Sequence, residues 1–199
     1  MKKFVNSLSI FRILAAFAII PLFLFQMHWS VFILFVLAAA SDFFDGYLAK
    51  KYKVTSKLGG VMDHIGDKLL IINSMIILAV MMRVWFIMVP IILMVAREIY
   101  VSGLREFLGT QKIEMPVTKE RFSIAKIKTT LQMIAVGAFF LLIAIGSTIA
   151  QPIISKFMMF VLVGLPYVCI WGLWLSLIAS LWSATTYTLD FKKKVKKLK

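Results

Sequence analysis

Apolar runs of about 20 residues, the length that crosses a bilayer, recur along this chain of 199 residues. Lipid offers backbone groups no hydrogen bonds, so only helices or a closed barrel can span it. The runs are continuous and do not alternate, which argues against a barrel. Hydrophobic residues make up 61% of the chain, above the roughly half found in soluble domains. The pattern predicts spans over 8–27, 30–50, 60–82, 84–108, 124–148 and 156–189. Lys2 and Lys3 before the first run imitate a signal peptide. That run is longer than a usual signal core, and a second span follows at once, so a retained anchor is expected. The fold class is therefore an all-α integral membrane protein with six transmembrane helices. A short interfacial segment at the N-terminus is compatible with it. No repeat or linker divides the chain, so 1–199 reads as a single domain ending in a basic tail, 190–199.

The net charge of +14 is unevenly placed. Lys2 and Lys3, the lysines at 50–57, Lys112, Lys119 and Arg121, and six lysines of the tail fall on one side of the predicted spans. Only Arg83 and Lys156 fall on the other. The positive-inside rule then puts both termini in the cytoplasm. The tail "KKKVKKLK" suits anionic headgroups better than nucleic acid. Cys169 is the only cysteine, which excludes an intrachain disulfide and a multi-cysteine metal site.

Against this background the acidic residues stand out. Of nine in the chain, four lie in "SDFFDGYLAKKYKVTSKLGGVMDHIGDKL", residues 41–69: Asp42, Asp45, Asp63 and Asp67. Spacings of three and four put each pair on one helix face. The first pair falls near the end of span two and the second near the start of span three. A short connection makes these spans antiparallel neighbours, with all four carboxylates at one depth. Such charges are costly in a membrane unless paired. Four converging carboxylates match a hard divalent ion such as Mg2+ or Mn2+. His64 points about 100° away from Asp63, given 3.6 residues per turn, and reads as a neighbour or packing residue. Gly46 and Ala49 leave a gap beside the carboxylates or allow close helix contact. Gly59 and Gly60 open the third helix.

Taken together, these residues resemble the CDP-alcohol phosphatidyltransferase family, whose pattern is D-x2-D-G-x2-A-R-x8-G-x3-D-x3-D. Asp42, Asp45, Gly46, Ala49, Gly59, Asp63 and Asp67 fall at its spacings, with Lys50 in place of the family arginine. That keeps the charge but loses the planar fork. "AREIYVSGLREFLG", "AKIKTTLQMIAVG" and "LWSATTYTLDF" resemble the phosphatidylglycerophosphate synthase branch, and the likeness covers most of 6–190. The second half-motif departs from that branch's D-P-x-A-D, with His64 and Gly66 in place of proline and alanine.

The resemblance implies transfer of a phosphatidyl group from CDP-diacylglycerol to sn-glycerol 3-phosphate, releasing CMP. It implies two divalent ions, Mg2+ or Mn2+, on Asp42, Asp45, Asp63 and Asp67, with Asp67 also the general base. Gly46, Ala49, Lys50 and Gly59 would border the CDP-lipid. The anionic acceptor needs its own basic pocket, for which Arg97, Arg105, Lys126 and Lys128 are candidates. Arg12 is a further candidate to face it. Arg97 lies too deep in span four to stand unpaired, and helical spacing sends its neighbour Glu98 to a different face. The resemblance also implies a homodimer and a bacterial inner-membrane location with the site facing the cytoplasm. Two alternatives stay open. One is another acceptor alcohol, such as inositol phosphate, serine or phosphatidylglycerol. The other is a divalent cation transporter, disfavoured because the outward half lacks matching polar groups.

Overall fold

Each expected span is one continuous helix in the computed structural model: α1 (Lys2–Leu24), α2 (His28–Tyr52), α3 (Lys57–Met82), α4 (Trp85–Thr110), α5 (Lys119–Thr148) and α6 (Lys156–Val195). The structure describes residues 2–52, 57–111, 119–148 and 156–195, with side chains described over 7–42, 59–111, 127–148 and 160–195. Among these, five helices are long and apolar enough to cross a membrane: α1, α3, α4, α5 and α6. In α2 the described side chains include an apolar stretch from His28 to Asp42. Part of the short connection expected between spans two and three is helix, since α2 continues to Tyr52 and α3 starts at Lys57. Residues 190–195 of the expected basic tail continue α6. Lys192, Lys193 and Lys194 sit in its last turn, where cations complement the exposed carbonyls. At 40 residues and 1.5 Å per residue, α6 is about 60 Å long and outreaches the hydrocarbon core.

Two short turns close the end opposite the aspartates. Gln26 takes a left-handed φ of 59°. Its N–H donates to Phe23 O, and Met27 N–H donates to Leu22 O, both at 3.0 Å. These two bonds satisfy the last carbonyls of α1 in a Schellman closure. Arg83, with φ 48°, closes α3 in the simpler left-handed form, its N–H donating to Ala79 O at 3.2 Å. Trp29 Nε1 donates to Thr148 Oγ1 at 3.0 Å, tying the start of α2 to the end of α5.

In lipid, helices associate through close contact and hydrogen bonds, because tails are as apolar as leucine. The α5–α6 pair shows this. A Cβ built on Gly172 would meet Ala135 Cβ at 2.9 Å, so these backbones approach as closely as glycine allows. Phe35 of α2 and Phe140 of α5 meet edge to face at 5.3 Å between ring centres, worth about 0.5–1.5 kcal/mol beyond area. Asn73 Nδ2 of α3 donates to Ala16 O of α1 at 2.8 Å. Among the described residues α2 and α3 barely touch, and α1 packs extensively against both. The first helix therefore stands between the two that carry the aspartates.

Candidate active site

Helix length alone sets the depth of the charged groups. Arg12 lies ten residues after Lys2, Asp42 ten before Tyr52, and Asp67 ten after Lys57. That is about 15 Å from each helix end, and charges so placed require partners. They find one another. Arg12, fully buried, places Nη1 at 2.7 Å from Asp63 Oδ1 and 3.4 Å from Asp42 Oδ1. The same nitrogen donates to Asp67 Oδ1. Arg12 thus pairs with the carboxylates. Gly66 faces α1 beside this arginine. It is buried against α1, and a Cβ there would lie 3.4 Å from Arg12 Cβ and from Ser9 O.

Ligand oxygens of Asp42, Asp63 and Asp67 all lie within 4.8 Å of one another. An octahedral Mg2+ with ligands at about 2.0–2.1 Å bridges oxygens up to about 4.2 Å apart. The trio is therefore close to a ligand set, and its pure oxygen chemistry suits a hard divalent ion. His64 is exposed and outside the trio.

A second charged group lies beside the first. Lys68, one position on from Asp67, turns about 100° away from it and meets α4. Its Nζ donates to Ser102 Oγ at 2.6 Å and lies 4.0 Å from Glu98 Oε2. Glu98 Oε1 accepts from Arg97 Nη1 at 2.9 Å and from Lys128 Nζ of α5. The expectation that Arg97 and Glu98 point apart is corrected here. The arginine side chain is long enough to bend back across the helix surface to its neighbour. Arg97 is anchored further by Nε donating to Ser180 O at 3.0 Å and Nη2 to Ser183 Oγ at 2.8 Å on α6. Arg105 is exposed and stacks 4.8 Å over the Tyr187 ring.

The structure thus gathers Asp42, Asp63 and Asp67 around Arg12, and Arg97 and Lys128 around Glu98. Gly59 lies in the first turn of α3. The side chains of Asp45, Gly46, Ala49, Lys50 and Lys126 lie outside the described ones. Sequence reasoning passed over Lys68 and Ser102, and set Glu98 aside as facing away from Arg97. A charge directly after Asp67, and an acid within a predicted span, were the available signals.

A helical membrane bundle that gathers three carboxylates around a buried arginine, with a second charged cluster reached from the same helix, has the chemistry to hold a divalent ion and anionic groups. The family model described as CDP-alcohol phosphatidyltransferase matches residues 3–182, and the chain belongs to that family. Members generally depend on a divalent metal. The chain is 42% identical over 142 residues to the CDP-diacylglycerol–glycerol-3-phosphate 3-phosphatidyltransferase of Cereibacter sphaeroides, covering 68% of this chain and 62% of that relative. The protein of the same description from Rickettsia typhi is 40% identical over 144 residues, covering 71% and 78%. That of Blochmanniella floridana is 34% identical over 134 residues, covering 66% and 70%. The match to the Cereibacter protein thus spans just under two thirds of that relative.

Proposed function

We propose that this protein transfers the phosphatidyl group of CDP-diacylglycerol to sn-glycerol 3-phosphate, giving phosphatidylglycerophosphate and CMP. The observation that carries this reading is the adjacency of two opposite sites: the trio Asp42, Asp63 and Asp67, and the cations around Glu98. The names of the relatives point to the same donor and acceptor. Family membership and the one-ended placement of the charges weigh against a transporter.

Asp42, Asp45, Asp63 and Asp67 would hold Mg2+ or Mn2+, two ions in all. When bound, these ions neutralise the diphosphate and polarise the attacked phosphorus. Asp67 takes the proton from the primary hydroxyl of glycerol 3-phosphate. That oxygen bonds to the phosphorus bearing diacylglycerol, and the bond to CMP breaks, with CMP leaving with the electron pair. A positioned base of this kind contributes about 10²–10⁴-fold. Gly46, Ala49, Lys50 and Gly59 border the CDP-lipid. Arg97, Arg105, Lys126 and Lys128 receive the acceptor phosphate.

The membrane arrangement in this reading has six spans, α2 included, forming one domain with both termini cytoplasmic. The concentration of lysine and arginine at one end of the helices supports it. The site then faces the cytoplasm of a bacterial inner membrane, the basic end of α6 lies on anionic lipid, and the protein acts as a homodimer.

The test is CMP release from CDP-diacylglycerol by the detergent-purified chain. Glycerol 3-phosphate, inositol phosphate, serine and phosphatidylglycerol are offered in turn with Mn2+. Release with glycerol 3-phosphate alone, lost in Asp67→Asn, is expected. Release with a different acceptor rejects the acceptor assignment.

A further inference from the structure

Lys68, Arg97 and Lys128 stand on three different helices, α3, α4 and α5. Like charges so close repel unless an anion sits among them. One anion holds them together. Glu98 accepts from Arg97 Nη1 at 2.9 Å, accepts from Lys128 Nζ, and has Lys68 Nζ 4.0 Å from its other oxygen. Lys128 is nearly fully buried, which fixes its ammonium in place. Three cations and one carboxylate leave the group with a net charge of two positives. A phosphate monoester carries close to two negatives at neutral pH, its second pKa being about 6. Lys68 is also the residue after Asp67, so the cation group and the proposed base share one turn of α3.

We propose that Glu98 is the positioning residue of the acceptor pocket, fixing Lys68, Arg97 and Lys128 as a preformed receptor for a phosphate dianion, with Lys68 as a phosphate-binding group. This rests on the reading that the cations receive the acceptor. Glu98 itself contacts no reacting atom. Its contribution is to keep the cations convergent before substrate arrives, which lowers the ordering cost of binding. It also gives the pocket its preference for a phosphorylated alcohol over a neutral one.

The experiment measures steady-state kinetics of the full chain in detergent, varying one substrate at saturating levels of the other with Mn2+. Glu98→Gln raises the KM for glycerol 3-phosphate by about tenfold or more and leaves the KM for CDP-diacylglycerol within about twofold. Glu98→Asp recovers part of the loss. Because Lys128 is one of the cations that Glu98 holds, Glu98→Gln combined with Lys128→Met falls short of the product of the single effects. An unchanged or lower acceptor KM overturns the proposal. So does an equal loss for both substrates with no recovery in Glu98→Asp. Thermal stabilisation by inorganic phosphate separates this from failure of the acceptor assignment. A wild-type chain inactive toward glycerol 3-phosphate, but stabilised by phosphate unless Glu98 is changed, rejects the acceptor and keeps the role of Glu98. Absence of both turnover and phosphate stabilisation in the wild type overturns the two together.

Discussion

Arg12 Nη1 lies 2.7 Å from Asp63 Oδ1, with the arginine fully buried and the aspartate 39% exposed. A cation from the first helix therefore sits at the point where carboxylates of α2 and α3 converge. Without it, Asp42, Asp63 and Asp67 would face one another inside a bundle about 15 Å from the helix ends.

Removing that charge makes the protein lean on metal. Breaking a buried ion pair by deleting one partner costs about 3–5 kcal/mol. The partial exposure of Asp42 and Asp63 reduces this to about 1–3 kcal/mol here. Arg12→Met is expected to lower the metal-free unfolding temperature in detergent and to widen the stabilisation given by Mn2+. Equal Mn2+ shifts in wild type and variant would count against a shared location for the two cations.

The carboxylates should bind the metal whether or not turnover occurs. Asp63→Asn and Asp67→Asn are each expected to abolish Mn2+ stabilisation, read by thermal unfolding or by the spin-resonance signal of bound Mn2+. In Asp67→Asn, CMP release falls by at least about 10²-fold, the lower bound for loss of a positioned base. Chelation of the wild type should stop turnover and be reversed by added Mn2+. Unaltered Mn2+ binding in both variants would remove the trio from the metal site.

Gly66 and Gly172 should respond oppositely to the same change. At Gly66 an added methyl meets its neighbours at 3.4 Å, ordinary contact. Alanine also favours helix by about 1 kcal/mol. Gly66→Ala is expected to keep activity and to raise the unfolding temperature slightly. At Gly172 the methyl would meet Ala135 Cβ at 2.9 Å, and Ala135 is itself buried. Gly172→Ala is expected to destabilise by about 1–3 kcal/mol through overpacking, measured in the same melts. Equal behaviour of the two variants would mean that the α5–α6 contact is not as close as described.

The sequence made some of this legible and hid the rest for identifiable reasons. Six apolar runs located six helices, because lipid enforces internal hydrogen bonding wherever the chain is apolar. The aspartate spacings placed Asp42, Asp63 and Asp67 at one depth, because helical periodicity fixes relative height. The position of Arg12 was harder to read. It depends on α1 standing between α2 and α3, and helices apolar on nearly every face carry no stripe that names their neighbours. The pairing of Arg97 with Glu98 was misread because successive Cβ atoms diverge on a helix, while a long guanidinium side chain can fold back. Lys68 was passed over beside Asp67, although the 100° between them is what sends one to the trio and the other to α4.

The central claim is that the trio and the cationic group form one centre for phosphatidyl transfer. Its most direct test supplies the purified chain with CDP-diacylglycerol, Mn2+ and radiolabelled glycerol 3-phosphate, and follows CMP together with label in the chloroform phase. The account predicts label entering lipid one for one with CMP. CMP without labelled lipid, or neither product, would contradict it.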